Sequence, residues 1–302
     1  MQAGNQTSGV TAILTLIAML AFAANSVLAR LGLGEASIDP ASYTAVRLLS
    51  GAATLWAIAR FSSHDNNSES AGSWTSGSML FLYAITFSFA YITLSTGTGA
   101  LILFAAVQIT MIAMGLYSGE RPRPLEWLGL LIAIIGLIYL VSPGITAPSL
   151  VGSLLMLIAG IAWGVYSIRG RGAVNPLAAT ADNFLRTIPF ALIMVLIFYF
   201  KINISESGFI YALTSGAISS GVGYAIWYAA LRGLTATRAA TVQLSVPVLA
   251  AIGGVLFLSE PVTTRLAIAT MAILSGIGMA VWGHQRIINA GRMETDAPER
   301  RP

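Results

Sequence analysis

Ionisable side chains are rare inside the apolar stretches of this sequence, so each one is a candidate for chemistry. Arg47 sits seven residues into one stretch, and Asp182 and Arg186 sit one helical turn apart in another. That i,i+4 spacing lets the acid and base pair on one face, and the pairing alone accounts for both. Arg47 is expected to snorkel or to bond backbone carbonyls. Glu120 and Glu260 stand at stretch ends, beside Arg121 and Pro261, where turn capping and pairing within loops is the expected role. The two histidines, His64 and His284, fall in a polar stretch and at a helix end, and there are no cysteines. No metal site, disulfide or thiolate chemistry is therefore expected, and no cofactor. With no histidine or activated nucleophile in an apolar stretch, an enzyme is a poor reading. Asp182 is the only acid well inside a stretch, with Arg186 at hand to hold it ionised. Proton relays use embedded acids or histidines, so facilitated diffusion or weak coupling fits better than obligatory proton exchange.

Aromatic residues recur at helical spacing. Tyr83, Phe87 and Tyr91 form one stripe, and Tyr224, Trp227 and Tyr228 form another. Phe22 and Trp163 occupy matching places in two further stretches, with Asn25 and Tyr166 three residues on. Such stripes serve as core packing, as headgroup belts, or as the lining of a pocket for an apolar ligand. Belts suit Trp56, Trp74, Trp127 and Trp282 near stretch ends, whereas Phe87, Tyr91, Trp163 and Tyr224 lie deeper. Asn25, Gln108, Gln243, Ser167 and Ser245 either orient a ligand or bond between helices. The candidate substrate-binding set is Phe22, Asn25, Tyr83, Phe87, Tyr91, Gln108, Trp163, Tyr166, Tyr224, Trp227, Gln243 and Ser245.

The elements that position these residues follow from composition. Of 302 residues, 56% are hydrophobic and 9% are charged, with a mean hydropathy of +0.78. A soluble domain carries about 25% charged residues. Globular cytosolic enzymes, nucleic-acid binders and secreted disulfide scaffolds are thereby excluded. A helix needs roughly 20 apolar residues to cross the hydrocarbon core. Ten stretches qualify, near 10–31, 40–61, 75–94, 98–118, 125–142, 149–169, 178–200, 208–231, 236–258 and 264–284. Lipid offers backbone amides no partner, so each must be a helix, and the shorter alternating segments of a β-barrel are absent. The fold class is an all-α membrane protein. No basic residue precedes Arg30, so the first stretch reads as a retained helix and not as a signal peptide. Residues 62–73 read as a polar cytoplasmic loop and 286–302 as a charged, disordered cytoplasmic tail. The expected partners are the lipid bilayer and a small-molecule substrate, with no nucleic acid and a monomer favoured.

Orientation comes from the cationic residues. Arg60, Arg121, Arg123, Arg169, Arg171, Arg232, Arg238, Arg286, Arg292, Arg300 and Arg301 fall on the side of both termini, against Arg30, Lys201 and Arg265 on the other. Both termini are expected to be cytoplasmic. The chain also repeats itself. Residues 14–22 lie over 155–163, Ser26 over Ser167 and Arg30 over Arg171. Pro40 matches Pro176, Glu120 matches Glu260 and Gly136 matches Gly276. Each half, 1–145 and 146–285, holds five stretches, so the second enters the membrane from the opposite side. Inverted repeats build many secondary transporters, with the substrate site at the midplane between halves.

Residues 227–240, Pro247 and Leu258-Ser259-Glu260-Pro261 resemble the second repeat of the drug/metabolite transporter superfamily, in its ten-helix EamA-type exporters. Gly119-Glu120-Arg121 and Arg47 are similar to first-repeat landmarks. The resemblance implies two inverted five-helix repeats, a bacterial inner-membrane location and export of small metabolites. The aromatic content makes the chain look like the bacterial aromatic amino-acid exporters. The expectation is an alternating-access exporter of aromatic or other apolar amino acids, with a broad multidrug or metabolite carrier as the alternative, and a channel or structural subunit less favoured. The repeat makes a topological prediction. Reagents confined to one side of the membrane should label cysteines placed at Asn5 and Ser149 from opposite compartments; labelling from one compartment would remove the inversion.

Overall fold

The computed structural model describes residues 8–62, 72–119, 124–170, 173–234 and 236–295. Among them there is no β-strand, only one isolated bridge, Ile38 to Ile204. Ten helices follow the ten apolar stretches: α1 Ser8–Gly34, α2 Pro40–Ser62, α3 Trp74–Ala90, α4 Thr96–Tyr117, α5 Pro124–Val141, α6 Leu150–Arg169, α7 Pro176–Ile197 and α8 Glu206–Leu231. The ninth, α9, comes in two pieces, Ala236–Gln243 and Ser245–Leu258, and α10 is Thr264–Thr295. Six of these (α1, α4, α5, α6, α7 and α8) are long and apolar enough to cross a membrane by length and composition, and shorter apolar helices cover 245–258 and 264–280.

Polar side chains at the stretch ends start the helices. Ser73, Ser149, Asn175 and Ser205 each accept the amide three residues on, capping α3, α6, α7 and α8. Asp39 caps α2 through the amides of Ala41 and Ser42 at 3.0 and 2.9 Å, with Pro40 in the first turn. Its other oxygen accepts the Asn203 amide at 3.0 Å, which ties the start of α2 to the link before α8. A left-handed Ser259 at φ 55° ends α9.

Two helices depart from regular winding. Pro247 has no amide to give the carbonyl of Gln243, four residues back, and α9 breaks between Gln243 and Ser245. Within α8, Ser215–Val222 winds as a π-helix. At the C-terminus the expected disordered tail does not hold as far as Thr295: α10 continues to that residue. The stretch 286–295 contains no proline, and Ala, Arg, Met and Glu are good helix formers. Residues 63–71 of the expected loop, Glu120 to Arg123, Arg171 and 296–302 lie outside the described residues.

Pairing between helices comes in matched sets. α3 packs on α6, as α8 packs on α1; α4 packs on α6, as α9 packs on α1; α3 packs on α7, as α8 packs on α2. The remaining major pairs are α2 with α7, α4 with α9, and α5 with α10. The same correspondence reaches single residues. Gly77 of α3 rests on the Asn183 carbonyl and Arg186 of α7, while Gly216 of α8 rests on the Arg47 carbonyl and Ser50 of α2. Asn183 and Arg47 each lie seven residues past the proline that opens their helix.

Outside this core the helices show bare hydrocarbon. Leu131, Ile135 and Ile138 of α5, Leu192, Ile193 and Leu196 of α7, and Met271 of α10 are all exposed. An apolar surface this continuous is stable in lipid and not in water. Trp56, Trp74 and Trp127 are exposed near helix ends, as belt residues are.

The α5–α10 pair, the most extensive in the molecule, crosses at two glycines. A Cβ added at Gly276 would lie 2.5 Å from the Gly129 carbonyl oxygen, backbone that cannot swing aside, whereas Gly278 meets nothing within 4 Å. Gly276→Val should therefore cost about 1–3 kcal/mol and lower the melting temperature in detergent, while Gly278→Val leaves it near that of the parent. Equal melting of the two variants would refute a close backbone crossing.

Candidate functional site

The deep aromatic residues form one connected cluster. Along α3, the Tyr91 and Phe87 ring centroids are 4.8 Å apart, and those of Phe87 and Tyr83 5.4 Å. Tyr83 meets Trp163 of α6 at 4.9 Å. Trp163 touches Tyr166 at 5.3 Å and stacks on Tyr224 of α8 at 5.6 Å. Tyr224 then contacts Phe22 of α1 at 5.5 Å, and Phe22 contacts Trp227 at 5.9 Å. All eight aromatic residues anticipated for a site are thus brought together, from four helices. Tyr83, Phe87, Tyr91, Tyr166, Tyr224 and Trp227 are buried, and Phe22 and Trp163 are half-buried. Tilted and edge-on ring contacts of this kind add about 0.5–1.5 kcal/mol each beyond area burial.

The polar candidates divide. The Asn25 carbonyl oxygen accepts the Ser215 hydroxyl at 2.8 Å and the Ser220 hydroxyl at 3.4 Å, joining α1 to the π-helical part of α8. The Ser167 and Ser245 hydroxyls donate to carbonyls of their own helices, Trp163 and Val242. Gln108 is buried on α4, and Gln243 is half-buried at the α9 break.

Sequence reasoning missed several members. Phe184 of α7 contacts Tyr224 at 6.1 Å. Thr180 bonds the Tyr228 hydroxyl at 2.6 Å and accepts from Tyr166 at 3.5 Å, closing the α7 side. The largest miss is Arg47. It neither snorkels nor bonds carbonyls: it is 2% exposed, and Nη2 donates to the Tyr83 hydroxyl at 2.9 Å. Its guanidinium lies 4.7 Å from the Phe87 ring centre and 5.2 Å from that of Tyr83. The available signal was its depth, seven residues into α2; the sequence carried no sign of the partner thirty-six residues on.

The other charged residues fill structural roles. Asp182 and Arg186 pair across one turn as expected, with the Arg186 guanidinium 5.8 Å from the Trp74 ring. Glu260 is a cap, but for a distant helix. One oxygen accepts the Thr96 amide at the start of α4 at 2.8 Å, and the other meets Arg30 at 3.2 Å. Arg30 also donates to the carbonyls of Tyr91 and Ile92, each at 3.2 Å. Glu120, which aligns with it in the sequence, lies outside the described residues.

Comparison with known proteins accords with this arrangement. The chain is 50% identical over 269 residues to an uncharacterized protein of Pseudomonas aeruginosa, covering 89% of this chain and 93% of that one. It is 24% identical over 205 residues to an uncharacterized transporter of Archaeoglobus fulgidus, covering 66% of this chain and 73% of the relative. It is 27% identical over 193 residues to the threonine/homoserine exporter RhtA of Salmonella typhimurium, covering 60% of this chain and 63% of RhtA. A solved crystal structure shares the fold, with a TM-score of 0.66 and 22% identity over 91% of this chain and 97% of that one. The EamA-like transporter family matches twice, over residues 9–142 and 150–282. Most of the length is thereby accounted for, and the chain belongs to the EamA-like transporter family, a family of membrane transporters.

Proposed function

We propose that this chain is an alternating-access exporter of small metabolites, with amino acids bearing aromatic or other apolar side chains as its first cargo. The observation that carries this reading is the ring cluster, in which Phe22, Tyr83 and Phe87 from the first half of the chain meet Trp163, Tyr166 and Tyr224 from the second. Binding pockets for small molecules are predominantly apolar and aromatic, with few polar groups. The threonine/homoserine exporter among the relatives lends support to an amino-acid cargo.

The two halves act as inverted five-helix repeats. Support comes from the double family match, which divides the chain between 142 and 150, and from helix pairings that exchange members five positions apart. Two similar halves in opposite orientations can trade conformations, so an outward-open state is the mirror of the inward-open one. In this reading α1, α3, α6 and α8 carry the rings along the path, and α5 with α10 stands outside it. The arginine bias supports an orientation with both termini in the cytoplasm, and the family resemblance supports a bacterial inner-membrane location. A carrier for cationic drugs fits less well, because a buried guanidinium in the cluster repels cations.

The test is uptake in proteoliposomes. Phenylalanine, tryptophan, methionine or threonine should show saturable uptake, displaced by one another and not by cationic dyes. Uptake that stays flat for every amino acid would end the reading. Trp163→Cys and Tyr224→Cys should react with polar thiol reagents and be protected by phenylalanine, whereas Ile135→Cys, on the exposed face of α5, should not be protected. Protection at Ile135 alone would move the path elsewhere.

A further inference from the structure

Arg47 is a charge that the packing does not use up. Its residue is 2% exposed, and Nη1 is a buried nitrogen with no hydrogen-bond partner. Among the described residues, the ion pairs are Arg30 with Glu260 and Arg186 with Asp182, and no carboxylate lies within 4.0 Å of Arg47. The titratable groups that face the guanidinium, from α2, α3 and α8, are all tyrosines: Tyr43, Tyr83 and Tyr224. These are neutral near pH 7, so the positive charge stands uncompensated.

The backbone that carries the Arg47 side chain is closely packed. Its backbone carbonyl is pinned against Gly216 of α8, where an added Cβ would clash. Seven residues from the start of α2, it stands about 10 Å along the helix axis. Tyr83 fixes Nη2, and the Phe87 and Tyr83 rings hold the plane from nearby. A guanidinium presents donors in a planar fork matched to a carboxylate. Here one arm of the fork is anchored and the other is buried without a partner, next to the rings that suit an apolar body. Embedded unpaired charges are expensive and mark substrate pathways.

We propose that Arg47 is the carboxylate-binding group of the transport site, receiving the cargo's carboxylate on Nη1 while the Tyr83–Trp163–Tyr224 rings receive its side chain. This assignment rests on the amino-acid exporter reading and makes the cargo an apolar carboxylate. It also gives a reason for one partner of the guanidinium being a neutral phenol: an acid in that place would occupy the fork permanently.

The experiment uses the full chain, purified and reconstituted, with three probes: phenylalanine, phenylalaninamide and 3-phenylpropionate. Binding is followed by tryptophan fluorescence and transport by uptake. In the parent, phenylalanine and 3-phenylpropionate should bind at least about tenfold more tightly than the amide, a difference of about 1.4 kcal/mol. Arg47→Gln should weaken binding of phenylalanine and 3-phenylpropionate and abolish that preference, and Arg47→Lys should restore part of it. Equal binding of acid and amide by the parent overturns the proposal without any variant, so a misfolded Arg47→Gln cannot shelter it. Transport of phenylalanine by Arg47→Gln at the parent's level overturns it while sparing the exporter reading. Arg47-dependent binding of 3-phenylpropionate with no amino-acid uptake does the reverse, keeping the anion site and removing the amino-acid cargo.

Discussion

Hydrocarbon offers no hydrogen bonds, and nearly every feature of this molecule answers to that fact. Each unsatisfied polar group in a lipid interior costs several kcal/mol. The backbone is therefore helical throughout the apolar stretches, and hydroxyls on the helices turn back onto their own carbonyls. Thr15, Thr44, Thr86, Ser88 and Thr110 each bond the carbonyl four residues earlier, at 2.7–2.9 Å. The Asn25 amide oxygen is served from α8, and the helix ends are capped by Ser, Asn, Asp or Glu. Buried side-chain atoms without a partner are few among the described residues: Nη1 of Arg47 is one, with the hydroxyls of Tyr43, Thr96 and Ser153.

Close approach of backbones is the second consequence. Lipid tails are as apolar as leucine, so helices gain little from hiding apolar area from each other and depend on packing contact instead. Glycines mark the contacts: Gly129 on Gly276, Gly160 on Leu103 and Ala106, Gly216 on Arg47, Gly77 on Asn183. These crossings set the spacing between helices, and the spacing sets how the rings of α1, α3, α6 and α8 meet. The cluster is thus positioned by residues that contribute no ring themselves.

Much of this was legible in the sequence, for a physical reason. Long apolar runs admit only one backbone conformation in lipid, so the ten helices and their approximate ends could be read directly. The ring stripes could be read because helical spacing puts Tyr83, Phe87 and Tyr91 on one face. Distant pairing could not. Glu260 was recognisable as a cap, but the amide it caps is 164 residues away in sequence. Arg47 was recognisable as embedded, but its orientation toward Tyr83 depends on how α2 and α3 pack. The α9 break was signalled by Pro247. The π-helical turn over Ser215–Val222 had no signal beyond small residues, because a register slip in a helix is decided by its neighbours, here Asn25, Arg47 and Thr54.

The Arg30–Glu260 pair has a bearing on how the two ends of the molecule behave. Five groups share it: a guanidinium, a carboxylate, the carbonyls of Tyr91 and Ile92, and the Thr96 amide. They belong to α1, the α3–α4 turn and the end of α9. Loss of one member leaves the others short of a partner. Separation of α1 from α9 at this end must accordingly be cooperative, a latch that is either fastened or flooded, with water as the only replacement for all five.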